Sequence, residues 1–166
     1  MKLIINDDPK FCQGTYSAAD MIFRKDNISV VCDNVTFDKV PSSPNEEYPA
    51  FIINRNSTNI ESCRFEEIYA PAYFDSNYFG HIAGFSFVNN TCTDSKLILD
   101  DVQNISIKNN NFLNVTYNFG LNFINNSEFS GNTIKCTSNL VVFGLRLIYS
   151  SNINISRNKI YDCASG

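Results

Sequence analysis

Two sets of ionisable side chains recur along this chain at the spacing of a repeated apolar pattern. Glu67 and Asp94 form one set, and His81 with Asp101 forms the other, together with the adjoining Asp100. If successive repeats pair as strands, residues at equal positions lie about 5 Å apart. Two carboxylates at that distance can share acid and base roles or hold a calcium ion, and a carboxylate raises the pKa of an imidazole beside it. Each set is therefore a candidate catalytic cluster. The alternative is a solvent-exposed edge, with His81 as a lone surface histidine.

A third candidate site is an aromatic segment at residues 68–79, in a long connection between two repeats. Its site residues are Tyr69, Tyr73, Phe74, Asp75 and Tyr78. Aromatic faces flanked by amides and a carboxylate are typical of surfaces on which sugar rings stack. We interpret the segment as a ligand- or partner-binding loop. The alternative is a loop that lies on the outer face of a sheet and hides its own aromatic side chains.

The elements that position these residues are predicted by three apolar columns, each occupied six times. The central column is Val30, Ile60, Phe87, Ile107, Phe129 and Ile155. The preceding column, eight residues earlier, is Ile22, Ile52, Phe79, Leu99, Leu121 and Leu147. The following column, five residues later, is Val35, Phe65, Cys92, Phe112, Ile134 and Ile160. Local alternation such as Ile105-Ser106-Ile107 is the period-two pattern of strands. A fixed frame with connections of variable length indicates a solenoid of six repeats, numbered by their central residues, that bury these columns against one another.

Asparagine recurs on both sides of the central column. It lies three residues before the centre at Asn27, Asn104, Asn126 and Asn152, and three residues after it at Asn90, Asn110, Asn132 and Asn158. Asparagine tolerates left-handed backbone and bonds its own neighbours, so we expect it at tight corners between strands. Stacked amides can also bond one another in a ladder. Asp33 and Cys63 replace asparagine in the first two repeats, so the ladder is expected in the C-terminal two thirds only.

The segments Asn104-Ile-Ser-Ile-Lys-Asn-Asn-Asn-Phe112 and Asn152-Ile-Asn-Ile-Ser-Arg-Asn-Lys-Ile160 resemble the right-handed parallel β-helix repeat of the pectin-lyase-like superfamily. The resemblance covers about residues 20 to 163 and implies an all-β parallel β-helix of about six coils. Phe87-Val-Asn-Asn90 is also similar to polymorphic surface and outer-membrane β-helix proteins.

Enzymes of this superfamily provide a comparison for the ionisable sets. Polygalacturonase-like members use aspartates with Gly-His-Gly and Arg-x-Lys motifs, and pectate-lyase-like members need a calcium-binding acidic cluster with a facing arginine. This chain is similar only to fragments of those patterns, at Gly80-His81 and Asp100-Asp101. The resemblance therefore implies the fold and leaves the activity open.

The length of 166 residues indicates one domain. We expect residues 1–20 to form a cap or lead-in and residues 21–166 to form the β-helix domain. The segment Ser17–Lys25 has the composition of a short amphipathic capping helix, although Ile22 within it also fits the first strand. No cap is visible after the last repeat, which suggests a fragment of a longer protein or an end that meets a partner.

Charge and hydropathy argue against two kinds of partner. The net charge is −4 and the basic residues are scattered, which argues against nucleic acid. No apolar stretch reaches the roughly 18 residues of a membrane-spanning helix.

The apolar run at residues 1–5 is too short for a signal peptide.

The six cysteines lack Cys-x-x-Cys spacing and the chain has one histidine, which argues against a zinc site. Two interpretations stay open: buried thiols that fill core and corners, or disulfides. Cys136 and Cys163 lie one repeat apart at neighbouring positions. Eight Asn-x-Ser/Thr sequons indicate either a glycosylated secreted protein or an accident of an asparagine-rich composition.

Taken together, these patterns predict a non-catalytic β-helix module, on a cell surface or extracellular, for adhesion or for binding a carbohydrate or a surface-protein partner. No cofactor is expected. One alternative is a polysaccharide lyase or glycoside hydrolase that uses Glu67 with Asp94 or His81 with Asp101, with calcium as its cofactor. Another alternative is a structural spacer within a longer repeat protein.

Overall fold

The computed structural model describes most of the chain. The described ranges are residues 3–17, 21–38, 49–68, 70–74, 82–95, 97–116, 119–137 and 144–163. All regular structure in these ranges is β-strand, and every strand pair is parallel. The fold is therefore all-β and built from parallel sheets.

The strands, numbered in chain order, form four sheets. The first sheet holds β1 (Leu3–Ile5), β3 (Met21–Phe23), β6 (Pro49–Ile53) and β9 (Ala70–Phe74). The second holds β4 (Ser29–Val31), β7 (Asn59–Glu61), β11 (Ser86–Val88), β15 (Ser106–Lys108), β18 (Asn125–Ser130) and β21 (Ser151–Ser156), with β10 (Ile82–Ala83) and β14 (Val102–Gln103) joined through β18. The third holds β2 (Gly14–Ser17), β5 (Val35–Asp38), β8 (Arg64–Glu66), β12 (Thr91–Thr93), β16 (Asn111–Val115), β19 (Thr133–Cys136) and β22 (Lys159–Tyr161). The fourth holds β13 (Ile98–Asp100), β17 (Gly120–Asn122) and β20 (Arg146–Ile148).

The central column is confirmed as a continuous line of paired residues in the second sheet. Each central residue is the direct partner of the next, from Val30 and Ile60 through to Phe129 and Ile155. The first five are buried, whereas Ile155 on the last strand is 43% exposed. The period-two pattern fixed this register because a shift by one residue would turn every apolar side chain to the outer face.

The other two columns depart from the predicted frame in the early repeats. In the third sheet Phe65 pairs with Phe37 and not with Val35, a shift of two residues that keeps the buried face. In the first sheet Ile52 pairs with Tyr73, so the prediction of Phe79 at this position is wrong; Phe79 itself lies outside the described residues. Connections of different length before these strands allow such shifts.

The predicted inner face of the first sheet is also wrong in repeats one and two. Ile22 and Ile52 pair as expected but are only half-buried. Their neighbours are fully buried: Met21, Phe23, Phe51 and Ile53. Because all three residues of each strand segment are apolar, the sequence pattern gave no sign of which face points inward.

The predicted capping helix at Ser17–Lys25 is wrong in the part that the structure describes. Ser17 ends β2, and Met21–Phe23 forms β3 between β1 and β6. Met21 and Phe23 are buried on one face of this strand, with Ile22 on the other. Because β3 pairs with a strand on each side, this segment is a strand and not a helix, in agreement with the fit of Ile22 to the first strand.

The asparagines after the central column form the expected ladder, but they point inward and do not form the corner. Asn110 Nδ2 donates to Phe87 O at 2.7 Å and to Asn132 Oδ1 at 3.0 Å, and Asn110 Oδ1 accepts from the Asn90 backbone N–H, with N···O 2.8 Å. The ladder begins one repeat earlier, where Cys63 N–H donates to Asn90 Oδ1. Asn90, Asn110 and Asn132 are buried.

The left-handed corner is the residue before each ladder asparagine. It is Asn89, Asn109 and Arg157 in repeats three, four and six, and Gly131 in repeat five. A Cβ on Gly131 would meet the Oδ1 atom of the exposed Asn109 side chain, so a larger residue there would require that amide to move. The asparagines before the central column, such as Asn104, are left-handed as predicted.

Two disulfides join neighbouring repeats, Cys32–Cys63 and Cys136–Cys163, each with a Cα–Cα distance of 4.9 Å. The second links the two cysteines that the sequence placed one repeat apart. Among the described residues Cys12 is an exposed thiol and Cys92 is a buried one, and burial raises the pKa of the Cys92 thiol. The cysteines are thus divided between the two interpretations that the sequence left open.

The ladder makes a prediction about stability. Asn110→Ala removes the partners of the Asn90 N–H and the Phe87 carbonyl, so we expect a loss of about 2–4 kcal/mol in the free energy of unfolding. Urea unfolding measures it. Asn89→Ala, at the exposed corner of the preceding repeat, is the control and should cost about 1 kcal/mol. Equal losses in the two variants would show that the ladder adds nothing beyond the corner.

The second disulfide makes a prediction about the last repeat. Cys136 and Cys163 are 27 residues apart, and replacing both by serine should cost about 3–4 kcal/mol by loss of the chain constraint. Hydrogen exchange should rise first in β20–β22, because these strands have a paired neighbour on one side only. Cys12→Ser is the control. Uniform exchange across the chain would contradict a local role.

Candidate functional site

In both predicted polar sets the described residues other than Asp100 lie at left-handed corners of the backbone. Glu67, Asp94 and Asp101 have φ values of 53°, 52° and 55°. Asp94 and Asp101 belong to the residue types that visit this region at low cost, because short polar side chains can bond to the local backbone. Backbone conformation therefore gives a reason for these aspartates that does not involve catalysis.

Glu67 and Asp94 are brought to neighbouring repeats, as the sequence predicted. The Glu67 N–H donates to the carbonyl of Thr93, the residue before Asp94, with an N···O distance of 3.0 Å. The next corner along the same line is Asn114. Both acidic side chains are exposed at the end of their strands. The arrangement can attract a cation from solvent, and no group of three or more metal-ligating side chains occurs in the described ranges.

The second predicted set is only partly described. His81 lies outside the described residues, so its pairing with Asp101 stays a prediction. Asp100 ends β13 as the direct partner of Asn122, and its side chain is exposed. Asp101 follows at the corner, where its N–H donates to Asn122 O at 3.1 Å.

The aromatic segment is not a single loop. Ala70–Phe74 forms strand β9, which pairs with β6 at the edge of the first sheet. Tyr73 and Phe74 lie in this strand, and Tyr69, Asp75 and Tyr78 fall outside the described residues. Tyr73 takes the register position of Ile52, a residue that is half-exposed in its own strand.

An aromatic pair that was not predicted as a site lies on the corner line of Asp101, which is the row of left-handed residues at this position of successive repeats. The next two residues of this line are Phe123 and Tyr149, with φ values of 52° and 50°. Left-handed backbone costs a bulky residue about 1–2 kcal/mol. Their rings stack at a centroid distance of 5.1 Å and an interplanar angle of 20°. The two residues are nevertheless 49% and 79% exposed. The only signal in the sequence was that these two aromatic residues follow Arg24, Asn54, His81 and Asp101 at the same position of successive repeats.

The residue before Phe123 in the chain carries a polar atom without a hydrogen-bond partner. Asn122, the residue before Phe123, pairs with Asp100 on one side and Ile148 on the other. Its Oδ1 is buried and has no hydrogen-bond partner among the described residues. A buried acceptor without a partner costs about 1–3 kcal/mol. This part of the chain thus combines strained aromatic residues with exposed rings, carboxylates in the neighbouring repeat and, one residue before Phe123, an unpaired amide oxygen.

The resolved pKa shifts of charged groups belong to two exposed ion pairs elsewhere. Hydrogen bonds from Lys108 and Ser130 lower the pKa of the Glu128 carboxyl. A hydrogen bond to Asp7 raises the pKa of Lys25, with an N···O distance of 2.9 Å. Both pairs link neighbouring repeats across a sheet or its edge, so we assign them a structural role.

Comparisons with known proteins bear on the fold. No protein-family model and no curated protein matches the sequence. The crystal structure of a provisionally assigned glycosyl hydrolase from Parabacteroides merdae superposes with a TM-score of 0.62 at 12% identity, over 100% of this chain and 84% of that one. QnrB1, a plasmid-mediated fluoroquinolone resistance protein, superposes with a TM-score of 0.32 at 11% identity, over 97% and 84%. At these identities the first similarity shows the all-β parallel-sheet fold alone, and the second has too low a score to add to it. The described residues contain no helix long and apolar enough to cross a membrane.

The corner geometry makes a prediction at Asp94. Asp94→Asn removes the charge and suits left-handed backbone, so it should change the free energy of unfolding by less than about 0.5 kcal/mol. Asp94→Val, with a β-branched side chain, should cost about 1–2 kcal/mol. Urea unfolding of both variants measures the difference. Equal losses would mean that the carboxylate itself, and not the corner conformation, is what the position requires.

Proposed function

We propose that the chain is a right-handed parallel β-helix of pectin-lyase-like type that acts as a non-catalytic, carbohydrate-binding module outside the cell. The β-helix is supported by the continuous parallel pairing of successive repeats in the second and third sheets. The structural similarity to the Parabacteroides merdae protein supports a fold of this kind. The proposed binding residues of the early repeats remain Tyr69, Tyr73, Phe74, Asp75 and Tyr78.

The observation that carries the non-catalytic part is the left-handed backbone at Glu67, Asp94 and Asp101. A catalytic carboxylate is held in place by the residues around it, because its geometry must suit its task. Here Glu67 and Asp94 are exposed side chains at strand ends. Their positions follow from the path of the backbone, so catalysis is not needed to explain them.

Binding is supported by a rigid framework with exposed aromatic surface. Sheets that pair repeat by repeat hold side chains in fixed rows about 4.8 Å apart, comparable to the length of one sugar unit. A location outside the cell is supported by the two disulfides, since these persist in oxidising compartments. Adhesion to a glycosylated surface would use the same rows.

The test is incubation of the purified protein with neutral and acidic polysaccharides, with and without calcium, while bound protein and released products are scored in the same tubes. We expect retention on at least one polysaccharide and no products. The matched variants are Glu67→Gln, Asp94→Asn and Asp101→Asn, which remove charge at the corners, and they should leave the products at zero.

Each other outcome contradicts a defined part of the proposal. Reducing ends or unsaturated sugars that disappear in Asp94→Asn or Asp101→Asn would establish the enzyme alternative. If the protein is not retained and no products form, carbohydrate binding is overturned and the structural spacer becomes the better account.

A further inference from the structure

We propose that Phe123, with Tyr149 behind it, forms the wall of a binding site for a neutral sugar, and that Asp101 and Asp100 bind its hydroxyl groups. This inference rests on the proposed function and assigns its site to a different part of the molecule from the aromatic segment at residues 68–79. Four features support it: backbone conformation, ring exposure, the side-chain lengths along the corner line and the chemistry of its polar groups.

The backbone conformation sets these two residues apart. The described chain has 17 non-glycine residues with positive φ, and Phe123 and Tyr149 are the only aromatic or aliphatic ones among them. Every other such corner carries Asn, Asp, Ser, Glu or Arg. An asparagine would fit either position with less strain. Strained residues that persist against an easier alternative are characteristic of functional surfaces.

Packing within the protein does not account for the rings. Each covers one face of the other, and beyond that residue Phe123 is 49% exposed and residue Tyr149 is 79% exposed. The core phenylalanines, such as Phe87 and Phe112, are fully buried. Exposed aromatic surface held in a fixed orientation is suited to stacking against a ligand ring.

The corner line has a step in height between Asp101 and Phe123. These residues occupy neighbouring repeats, since the Asp101 N–H donates to Asn122 O and the Phe123 N–H donates to Ile148 O. An aspartate side chain is much shorter than a phenylalanine ring, so on this inference the face of Phe123 opposite Tyr149 forms a step beside Asp101. A pyranose ring fits such a step, with one face against the aromatic ring and its edge above the carboxylates.

The polar groups around the step select the class of sugar. Asp101 and the exposed Asp100 provide carboxylate oxygens, which accept hydrogen bonds from hydroxyl groups and repel the carboxylate of a uronic acid. Asn122 adds an amide oxygen that is unsatisfied in the free protein. Rotation of the Asn122 side chain toward the step would allow its Oδ1 to accept a hydrogen bond from a sugar hydroxyl. The ligand class is therefore a neutral glycan and not an acidic one.

The experiment measures binding of neutral oligosaccharides (cello-, xylo-, manno- and galacto-series) and of oligogalacturonate by calorimetry. Phe123→Asn removes the wall but suits the left-handed corner, and we expect it to weaken binding of the neutral ligand at least tenfold. Tyr149→Asn removes the support behind Phe123 and should weaken binding by a smaller factor. Tyr161→Thr removes another exposed aromatic of the last repeat from a strand, and it should bind as the wild type does.

Urea unfolding of the same variants separates a binding role from a packing role. Because asparagine relieves strain at both corners, the midpoints of Phe123→Asn and Tyr149→Asn should equal or exceed that of the wild type. A wild-type protein that binds a neutral glycan, with Phe123→Asn binding equally well, would overturn this site and leave the proposed function standing. Preference for oligogalacturonate, or a lowered midpoint in Phe123→Asn, would also overturn the site. A wild-type protein that binds no glycan would overturn the proposed function itself.

Discussion

Parallel pairing between successive repeats is the interaction on which the rest of this structure depends. Each repeat gives its backbone N–H and C=O groups to the repeats on either side, and single left-handed residues turn the chain between strands without breaking this pairing. Asn104 and Phe123 both show it, since each has positive φ and still donates its N–H to the following repeat. The buried columns, the asparagine ladder and the inter-repeat disulfides are arranged along the same direction.

This constraint explains much of the unusual composition. Corners need residues that accept positive φ, so asparagine and aspartate accumulate there, and the ladder adds a second requirement for asparagine one residue later. The same requirement generates several of the sequons and both columns of acidic residues. A polar residue at a corner therefore has little value as evidence for a site, and an aromatic residue there has much more.

The two ends of the stack differ in how the core is covered. At the first end Phe11 packs edge-on against Phe37 at 5.1 Å, and Asp8 Oδ1 accepts a hydrogen bond from the Ser29 N–H at the sheet edge. In the last repeat Leu147, Ile155 and Ile160 occupy the column positions that are buried in repeats four and five, and they are partly exposed. The Cys136–Cys163 disulfide holds that repeat against its neighbour.

The sequence by itself determined the strand type, the parallel stacking of repeats and the whole central column, because alternating Ile105-Ser106-Ile107 patterns specify one buried face. It also determined the ladder, since Asn90, Asn110 and Asn132 recur at one position of the frame. Only the tertiary structure decided the inner face of Met21–Phe23, where three apolar residues in a row fit either orientation. It alone paired Tyr73 with Ile52, because connection lengths vary and strand register depends on partners far away in the chain. The tertiary structure also revealed the aromatic corner. In the sequence Phe123 and Tyr149 are ordinary aromatic residues, because their left-handed backbone and their exposure depend on contacts with the neighbouring repeats.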